Sequence, residues 1–328
     1  MGDALLETGG NVSIAAILER SGNYTPLMFD VVGVGANSAD HVYRLPEFPR
    51  PDSPAAKLRI AHHTITPGGQ TATTLCTCAA MGLGTCYVGA TGSDDHGRLI
   101  RDELSRRGVN VTHAVVRDAA NAYAVILIDD TQGERVVLWD RDARLDLTPG
   151  EIDAAAIGAA RLLHVDDVDV EASLHAASIA RHLGIPITSD IETVGDRTDA
   201  LIAAVTVPIF AEHVLEPLTG ERDFERALRV LRRRHTGMLC VTLGARGGML
   251  LVGDRLYQEP AFQTAVVDTT GAGDVFRGGF IVALLRGDAP GDILRFANAA
   301  AAISCTRLGA INGVPSRGEM EEALGSGL

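Results

Sequence analysis

An acidic residue and three small residues stand together where an apolar strand-like run gives way to a long apolar helix-like run. Asp274 directly follows Gly271, Ala272 and Gly273. Small residues let an anion approach the backbone, and the first N–H groups of a helix direct partial positive charge toward it. A carboxylate at the same point can accept the proton of an attacking hydroxyl. The segment therefore indicates an anion hole with Asp274 as a general base.

Taken alone, the segment is also typical of a plain strand-to-helix turn in which Asp274 caps the helix. No Gly-Lys-Ser/Thr follows it, as a Walker loop requires. The segment does not follow the first strand of the chain either, as the dinucleotide-binding fingerprint does. The choice between the two interpretations depends on the other motifs.

Further glycine motifs occur at regular places along the chain. Gly68 and Gly69 precede a helix-like run of small residues, and a glycine-rich turn begins at Thr242 after an apolar run. An Arg307-x-Gly309 motif closes the last long helix-like run. In this order and spacing the motifs resemble those of the ribokinase-like (PfkB-type) carbohydrate kinases, from about residue 29 onward.

The resemblance implies a set of site residues, with Asp274 as the catalytic base and the three residues before it as the anion hole. The residues expected to bind the sugar are Asp40, Gly68, Gly69, Gln70 and Thr73. Those expected to bind the nucleotide are Thr242, Gly244, Gly247, Asn298 and Ala301. Those that match a monovalent-cation site, K⁺ being the candidate, are Asp268, Thr270, Ser304, Arg307 and Gly309. Similar proteins use ATP with Mg²⁺.

The sugar-binding motif departs from the family pattern. Relatives often have Gly-Gly-Asn-x-x-Asn, whereas this chain has Gln70 and Thr73 in place of the two Asn residues. Both side chains can form hydrogen bonds, but with a different reach. The sugar preference is therefore left open.

The Mg²⁺-organising motif departs further. The family's Asn-x-x-Glu should fall near Ala211, but the Asn is absent and the Glu is displaced to Glu212. We therefore expect Mg²⁺ to be organised by Glu212 through water, or by Asp190 and Glu192 after the preceding strand. Arg277 stands where many relatives have Asn, and it could face the pocket or solvent.

Strand-like and helix-like runs alternate through most of the chain. This alternation predicts a three-layer α/β/α domain over residues 29–328 with a mostly parallel central sheet. Two early β-rich segments, at about 37–67 and 120–141, do not fit the alternation. We expect them to form a small β-sheet that acts as a lid, with strands at 57–66, 122–128 and 135–139. Asp40 is expected at the end of the first strand of the domain.

Two further features concern the lid and the first residues. Arg135 and Arg141 flank Trp139 in the second hairpin of the expected lid and could bind an anionic group of a sugar phosphate or acidic sugar, although a solvated hairpin edge is an equal alternative. Residues 1–28 stand apart as an N-terminal extension. Within it, Ile14, Ile17 and Leu18 fall on one face of a short predicted helix.

Composition limits the partners. The formal charge is 29 − 42 = −13, which disfavours a nucleic-acid partner because phosphate backbones bind basic surfaces. No apolar run reaches the roughly 18–20 residues of a membrane span. Five cysteines, an odd number, fit a reducing cytoplasm better than a disulfide framework. In the family that this chain resembles, the lids of two subunits often pair, so a homodimer through the lid is expected.

Three functions agree with these observations. The first is a sugar kinase acting on a ketose, a ketose phosphate or a related carbohydrate, since the lid hairpin and the Glu212 region look most like ketohexokinase-type relatives. The second is a nucleoside kinase of the same fold. The third is a non-catalytic sugar sensor, which the altered Asn-x-x-Glu favours and the complete anion hole disfavours.

Overall fold

The structure is a computed structural model that describes residues 28–129, 131 and 135–326. The helix predicted around Ile14, Ile17 and Leu18 lies outside the described residues. None of the described helices is both long enough and apolar enough to span a bilayer.

The centre of the domain is a large sheet. Its strands are β1 (Phe29–Val34), β4 (Thr85–Val88), β6 (Val109–Asn110), β10 (Ala160–Val165), β11 (Ile187–Ile191), β12 (Val207–Ala211), β13 (Leu239–Thr242), β14 (Gly248–Val252) and β15 (Arg255–Glu259). They are ordered β15-β14-β13-β12-β11-β10-β1-β4-β6. All neighbours pair in parallel except at one edge, where β14 is antiparallel to β13 and β15. In β1 the side chains of Val31, Val32 and Val34 are all fully buried, as expected where helices cover both faces.

Helices cover the two faces of this sheet in separate layers. One layer contains α1 (Gln70–Ala80), α2 (Asp95–Arg106), α8 (Ala272–Arg286), α9 (Pro290–Ser304), α10 (Ala310–Gly313) and α11 (Arg317–Ser326). The other contains α3 (Ala154–Gly158), α4 (Val170–His182), α5 (Thr198–Ala204), α6 (Glu212–Thr219) and α7 (Phe224–Arg232). Each layer has its own buried apolar cluster against the sheet. This arrangement confirms the predicted three-layer α/β/α class.

Two smaller sheets lie outside the central one. The first contains β2 (Ser38–Leu45), β3 (His62–Gly68), β8 (Tyr123–Asp129) and β9 (Arg135–Asp140), in the order β3-β2-β8-β9. The second pairs β5 (Ala90–Gly92) with β7 (Val115–Arg117). The four-stranded sheet is the small sheet that the sequence predicted, although β2 and β8 pair in parallel within it. Its action as a lid stays a prediction.

Two details of the four-stranded sheet differ from the sequence-based prediction. Strand β2 was not predicted, so Asp40 lies inside a strand of this sheet and not at the end of β1. Strand β3 begins at His62, later than the predicted residue 57. The signal of β2 is hidden because Asp40 shares a buried face with Val42, and a carboxylate at a core position breaks the apolar alternation.

Strand β9 forms one edge of the four-stranded sheet. Its apolar side chains are between 42% and 76% exposed, and they are Val136, Val137, Leu138 and Trp139. Exposed apolar side chains on an edge strand favour association. The homodimer through the lid nevertheless stays a prediction.

Helix α8 packs closely on α1, and this contact fixes the start of α8. A Cβ at Gly278 would lie 2.4 Å from the Cβ of Thr77. The thiol of Cys78 donates to the carbonyl of Gly278 across the same contact, at 3.6 Å. Two helices can approach this closely only where one presents a glycine.

We therefore expect Gly278→Ala to lower the free energy of unfolding by about 1–3 kcal/mol, because the added methyl group forces the two helices apart. The matched control is Gly318→Ala in α11, where a Cβ would meet no atom within 4 Å. Urea denaturation of both variants measures the difference. An unchanged midpoint for Gly278→Ala would contradict the tight contact.

Candidate active site

The carboxyl ends of the central strands meet the start of helix α8. Asp166 directly follows β10, Asp190 lies near the end of β11, and Glu192 follows that strand. Asp274 of α8 is electrostatically coupled to Asp40, Asp166 and Glu192. Open α/β sheets bind their ligands at this edge. The sequence-predicted base and the sugar-binding acid are thus brought to the same place.

The predicted anion hole corresponds to the first turn of α8. Gly271 has a φ of 75°, and a Cβ there would lie 2.4 Å from the Cβ of Ala310, so only glycine fits. The amide of Ala272 donates to the carbonyl of Thr269, at 3.2 Å. The amides of Gly273 and Asp274 donate to no group within the described residues. Two N–H groups at the positive end of a helix are therefore free to bind an anion.

Asp274 is held at this point with little freedom. Its backbone carbonyl accepts a hydrogen bond from the hydroxyl of Thr74 in α1, at 3.1 Å. Asp274 is only 8% exposed to solvent. Burial raises the pKa of Asp274 well above its ordinary value; the charge of Glu192 raises that pKa further, while Arg277 opposes the change. A carboxylate with a raised pKa is a stronger proton acceptor, as a general base requires.

Arg277 is a site residue whose position the sequence left undecided. Its side chain is fully buried and pairs with Asp190, and its Nη1 lies 3.6 Å from Oε1 of Glu192. Arg277 and Asp190 lie side by side as an ion pair, without the alignment of a hydrogen bond. Burial lowers the pKa of Arg277, but Asp190, Glu192 and Asp274 together raise that pKa above its ordinary value. Arg277 therefore stays charged inside the site.

The structure places the residues expected to organise Mg²⁺ at two different locations, Asp190 and Glu192 beside Asp274 and Glu212 beside Arg246. Asp190, Glu192 and Asp274 each offer a carboxylate oxygen, and these oxygens lie within 4.8 Å of one another. Glu212 does not belong to this group, since its carboxylate pairs with Arg246 at the surface. Burial raises the pKa of Asp190 well above its ordinary value, against the opposing charge of Arg277.

Asp40 faces the glycine pair that was expected to bind the sugar. Its Oδ1 accepts a hydrogen bond from the hydroxyl of Ser38, at 2.7 Å. A Cβ at Gly68 would lie 2.2 Å from Oδ2 of Asp40, so the absence of a side chain lets this carboxylate lie directly against the backbone of Gly68. Gly69 has a φ of 99° and packs on the backbone of Asn37. The two glycines thus fix the position of the Asp40 carboxylate, and its role in binding a sugar stays a prediction.

Gln70 and Thr73, which are also expected to bind the sugar, lie in the first turn of helix α1. Gln70 is partly exposed, and the hydroxyl of Thr73 is buried without a hydrogen-bond partner in the described part of the chain. Asp166 anchors this region, because it accepts hydrogen bonds from the amide of Ala36 (2.6 Å) and the hydroxyl of Thr71 (2.8 Å). Burial raises the pKa of Asp166 to about 7, despite these hydrogen bonds.

A buried hydrogen-bond network around Asn37, next to Gly69, was not predicted from the sequence. Nδ2 of Asn37 donates to the hydroxyl of Tyr87 (2.8 Å) and the carbonyl of Ala90 (2.7 Å), and Oδ1 of Asn37 accepts from Asn121 (3.0 Å). This network fixes the turn between β1 and β2. The sequence carries no signal for it because Asn37 and Asn121 are 84 residues apart and their partners Tyr87 and Ala90 belong to strands β4 and β5.

Arg141 is held by neighbouring acids. Its Nη2 donates to both carboxylate oxygens of Asp169, at 2.8 and 2.9 Å, and its Nη1 donates to Asp146, at 2.5 Å. The same Nη2 donates to the carbonyl of Leu145. Contact with a substrate anion would have to compete with these partners.

The residues expected to bind the nucleotide gather beside the N-terminal half of α8, where a Cβ at Gly248 would lie 3.2 Å from the ring of Phe276. Gly247 has a φ of 89°, and a Cβ there would lie 2.0 Å from the carbonyl oxygen of Glu259. Asn298 of α9 donates to the carbonyls of Glu259 (3.0 Å) and Pro260 (3.1 Å). Strand β13 ends at Thr242, and the turn with Gly244 and Gly247 follows it. The segment of Glu259 and Pro260 joins this turn to the helix that contains Asn298 and Ala301. The two parts of the expected nucleotide site lie together.

Two loops meet where the monovalent-cation site was expected. The carboxylate of Asp268 accepts the amides of Thr270 (2.8 Å) and Gly309 (2.9 Å). The hydroxyl of Thr270 is buried without a partner in the described residues. Ser304 donates to the carbonyl of Ala301 in its own helix, and the side chain of Arg307 pairs with Glu319. Any cation here would be bound chiefly by oxygens of the two loops.

The four-stranded sheet contacts both of these loops. Nη1 of Arg135 in β9 donates to the hydroxyl of Thr269, at 2.6 Å. A Cβ at Gly309 would lie 2.7 Å from the hydroxyl oxygen of Thr66 in β3. The loops on either side of the anion hole therefore each touch the small sheet.

The fold and this site together define a kinase of the ribokinase-like class. The family described as pfkB family carbohydrate kinase matches residues 28–317. The chain therefore belongs to the pfkB family of carbohydrate kinases. This finding confirms both the resemblance and the predicted enzyme class.

Individual relatives extend along nearly the whole chain. The ribokinase of Haemophilus influenzae is 27% identical over 299 residues, which cover 89% of this chain and 97% of that one. A nucleoside kinase of Methanothermobacter thermautotrophicus is 26% identical, with 88% and 94% covered. The crystal structure of ribokinase from Thermotoga maritima gives a TM-score of 0.78 at 27% identity and covers 91% of this chain and 100% of that one. A closer relation to ketohexokinase-type enzymes stays a prediction.

Asp40 generates a prediction for the pH dependence of stability. Burial raises the pKa of Asp40 to about 6 from 3.8, against the hydrogen bond from Ser38. Because the unfolded chain releases this proton first, the stability that protonated Asp40 contributes is complete below pH 3.8 and is lost as the pH rises through 6.

We expect wild type to lose up to about 3 kcal/mol relative to Asp40→Asn between pH 4 and pH 7, from roughly two pKa units at 1.4 kcal/mol each. Urea denaturation of both ligand-free proteins across this range measures the difference. A constant difference in unfolding free energy would show that Asp40 does not titrate as described.

Proposed function

We propose that this carbohydrate kinase transfers the terminal phosphoryl group of ATP to a hydroxyl of a small sugar, namely a ketose, a ketose phosphate or a related carbohydrate. The observation that carries the proposal is the start of α8, where two unbonded amides stand beside the buried carboxylate of Asp274. The buried carboxylate of Asp40, which is close enough to Asp274 to raise its pKa, supports a sugar as the acceptor.

In this mechanism each group has one task. Asp40 binds hydroxyls of the sugar with its carboxylate, which is held against the backbone of Gly68. Asp274 takes the proton of the attacking hydroxyl at a carboxylate oxygen. The amides of Gly273 and Asp274 stabilise the negative charge on the phosphoryl oxygens, which is spread over a loose transition state. Correct alignment of the two substrates can supply on the order of 7–11 kcal/mol of the barrier reduction.

The nucleotide is expected along the turn that contains Thr242, Gly244 and Gly247, with its base toward Asn298 and Ala301. Three carboxylates near the anion hole have the oxygen chemistry that Mg²⁺ prefers. However, the guanidinium of Arg277 contacts two of the three, Asp190 and Glu192. The cluster therefore does not fit a resident Mg²⁺. Mg²⁺ is expected to arrive bound to the phosphates of ATP.

A monovalent cation such as K⁺ would be held where the Asp268 loop meets the loop ending at Gly309. The unpartnered hydroxyl of Thr270 supports this placement. When bound, such an ion would stiffen the backbone that forms the anion hole. It would take no part in the transfer itself.

Asp274→Asn tests the assignment of the base. We expect kcat to fall by about 10²–10⁴-fold, the usual contribution of a general base, while the Kd for ATP changes by less than about threefold. The control is Asp292→Asn, which removes an exposed acid from the first turn of α9. Steady-state kinetics and calorimetric ATP titration give both quantities. Turnover of Asp274→Asn equal to that of the control would remove Asp274 from the mechanism.

A substrate panel tests the proposed acceptor. Neutral ketoses and aldoses, their phosphates and nucleosides are compared by ATP-dependent phosphorylation and by thermal shift, since a ligand of the folded state raises its stability. We expect at least one sugar to be phosphorylated with a kcat/KM at least about tenfold above every nucleoside. Preference for a nucleoside would instead favour the second function, which the similarity to a nucleoside kinase supports.

A further inference from the structure

Arg277 is an unusual residue for its position. It lies in the first turns of α8, three residues after Asp274, and its side chain has no exposure to solvent. Burying a charge without partners is very unfavourable, so a buried arginine requires nearby acids. Its partners Asp190 and Glu192 come from a different element, the end of β11. The ion pair therefore connects the helix that carries the base to the central sheet.

The guanidinium also lies directly against the anion hole. A Cβ at Gly273 would be only 2.6 Å from Nη1 of Arg277. The positive charge thus stands behind the same backbone whose amides are free to bind a phosphoryl group. Because Gly273 has no side chain, nothing separates the guanidinium from that backbone. A fixed cation at this distance stabilises negative charge that accumulates at the hole.

The same contacts bear on the three neighbouring carboxylates. Asp190, Glu192 and Asp274 offer oxygens close enough to share one ion. Arg277 contacts Asp190 and Glu192, so their charge is already balanced by a side chain of the protein. A divalent ion in the middle of the group would have to displace the guanidinium.

We propose that Arg277 is the resident cation of the phosphoryl-transfer site. It occupies the role that a protein-held divalent ion would have between the three carboxylates, and it is a positioning residue that keeps Asp274 and the anion hole in their reactive arrangement. The proposal rests on the proposed function, because it assigns the hole to a phosphoryl group. It gives one reason for two departures in the sequence, the arginine at 277 and the missing Asn-x-x-Glu motif.

A double-mutant cycle separates this role from a purely structural one. Arg277→Met leaves Asp190 buried and unpaired, so we expect Tm to fall by about 5–10 °C. Asp190→Asn combined with Arg277→Met removes both charges and is expected to recover most of this loss. The kcat of this double variant is expected to stay at least about 100-fold below that of wild type, while its KM for the sugar stays within about threefold of the wild-type value. The single variant Asp190→Asn keeps Arg277 beside Glu192, so its loss of kcat is expected to be at least about tenfold smaller than that of the double variant.

Two outcomes of the cycle would overturn the proposal. If the double variant regains wild-type kcat together with its Tm, then Arg277 only neutralises Asp190. If Asp190→Asn alone loses as much kcat as the double variant, then the acid and not the arginine positions the site. Either result leaves the kinase function itself intact.

Mn²⁺ binding to the nucleotide-free protein gives a readout that needs no substrate. Mn²⁺ takes the same oxygen ligands as Mg²⁺ and can be titrated by electron paramagnetic resonance. We expect wild type to bind no Mn²⁺ below about 1 mM, whereas Arg277→Met binds it at least about tenfold more tightly. Equal binding by both proteins would overturn the proposal. If the wild type phosphorylates no sugar or nucleoside, the proposed function fails while this titration still decides the role of Arg277.

Discussion

The structure depends on one constraint, which is that the amides of Gly273 and Asp274 at the start of helix α8 must remain without an acceptor among the described residues of a folded domain. Buried N–H groups normally find an acceptor, because leaving them unpaired costs about 1–3 kcal/mol each. Here the left-handed Gly271 is pressed against Ala310, and Thr74 holds the carbonyl of Asp274. These contacts fix the helix start from outside. The protein thus keeps two donors available for a ligand by stabilising the backbone around them.

The acids around this point create a second requirement, which is electrostatic. Asp40, Asp166, Asp190 and Asp274 are all buried, and burial raises the pKa of each. Arg277 is the one buried arginine among the described residues, and its charge opposes the rise in pKa at Asp190 and Asp274. The geometry of the site is therefore set as much by charge balance as by packing.

Most of the fold could be predicted from the sequence, whereas the site could be predicted only in part. Alternating apolar runs predicted the central sheet and its main helices, because strands buried on both faces and helices packed on them have strong periodic signals. The Gly271–Asp274 motif predicted the anion hole because its chemistry lies within four consecutive residues. Strand β2 was not predicted because Asp40, a charged residue, occupies a core-facing position in it. The environment of Arg277 could not be predicted, since Asp190 and Glu192 reach it only through the order of strands in the sheet.

The contacts of the small sheet with the two loops beside the anion hole have a mechanical consequence. Thr66 touches Gly309 from strand β3, and Arg135 of β9 donates to Thr269. Strand β3 continues directly into Gly68, beside Asp40. If the proposed acceptor binds against Asp40, a tilt of this sheet would be transmitted to both loops beside the predicted anion hole. The acceptor side and the phosphoryl side of the proposed site would then be linked through the backbone of the small sheet.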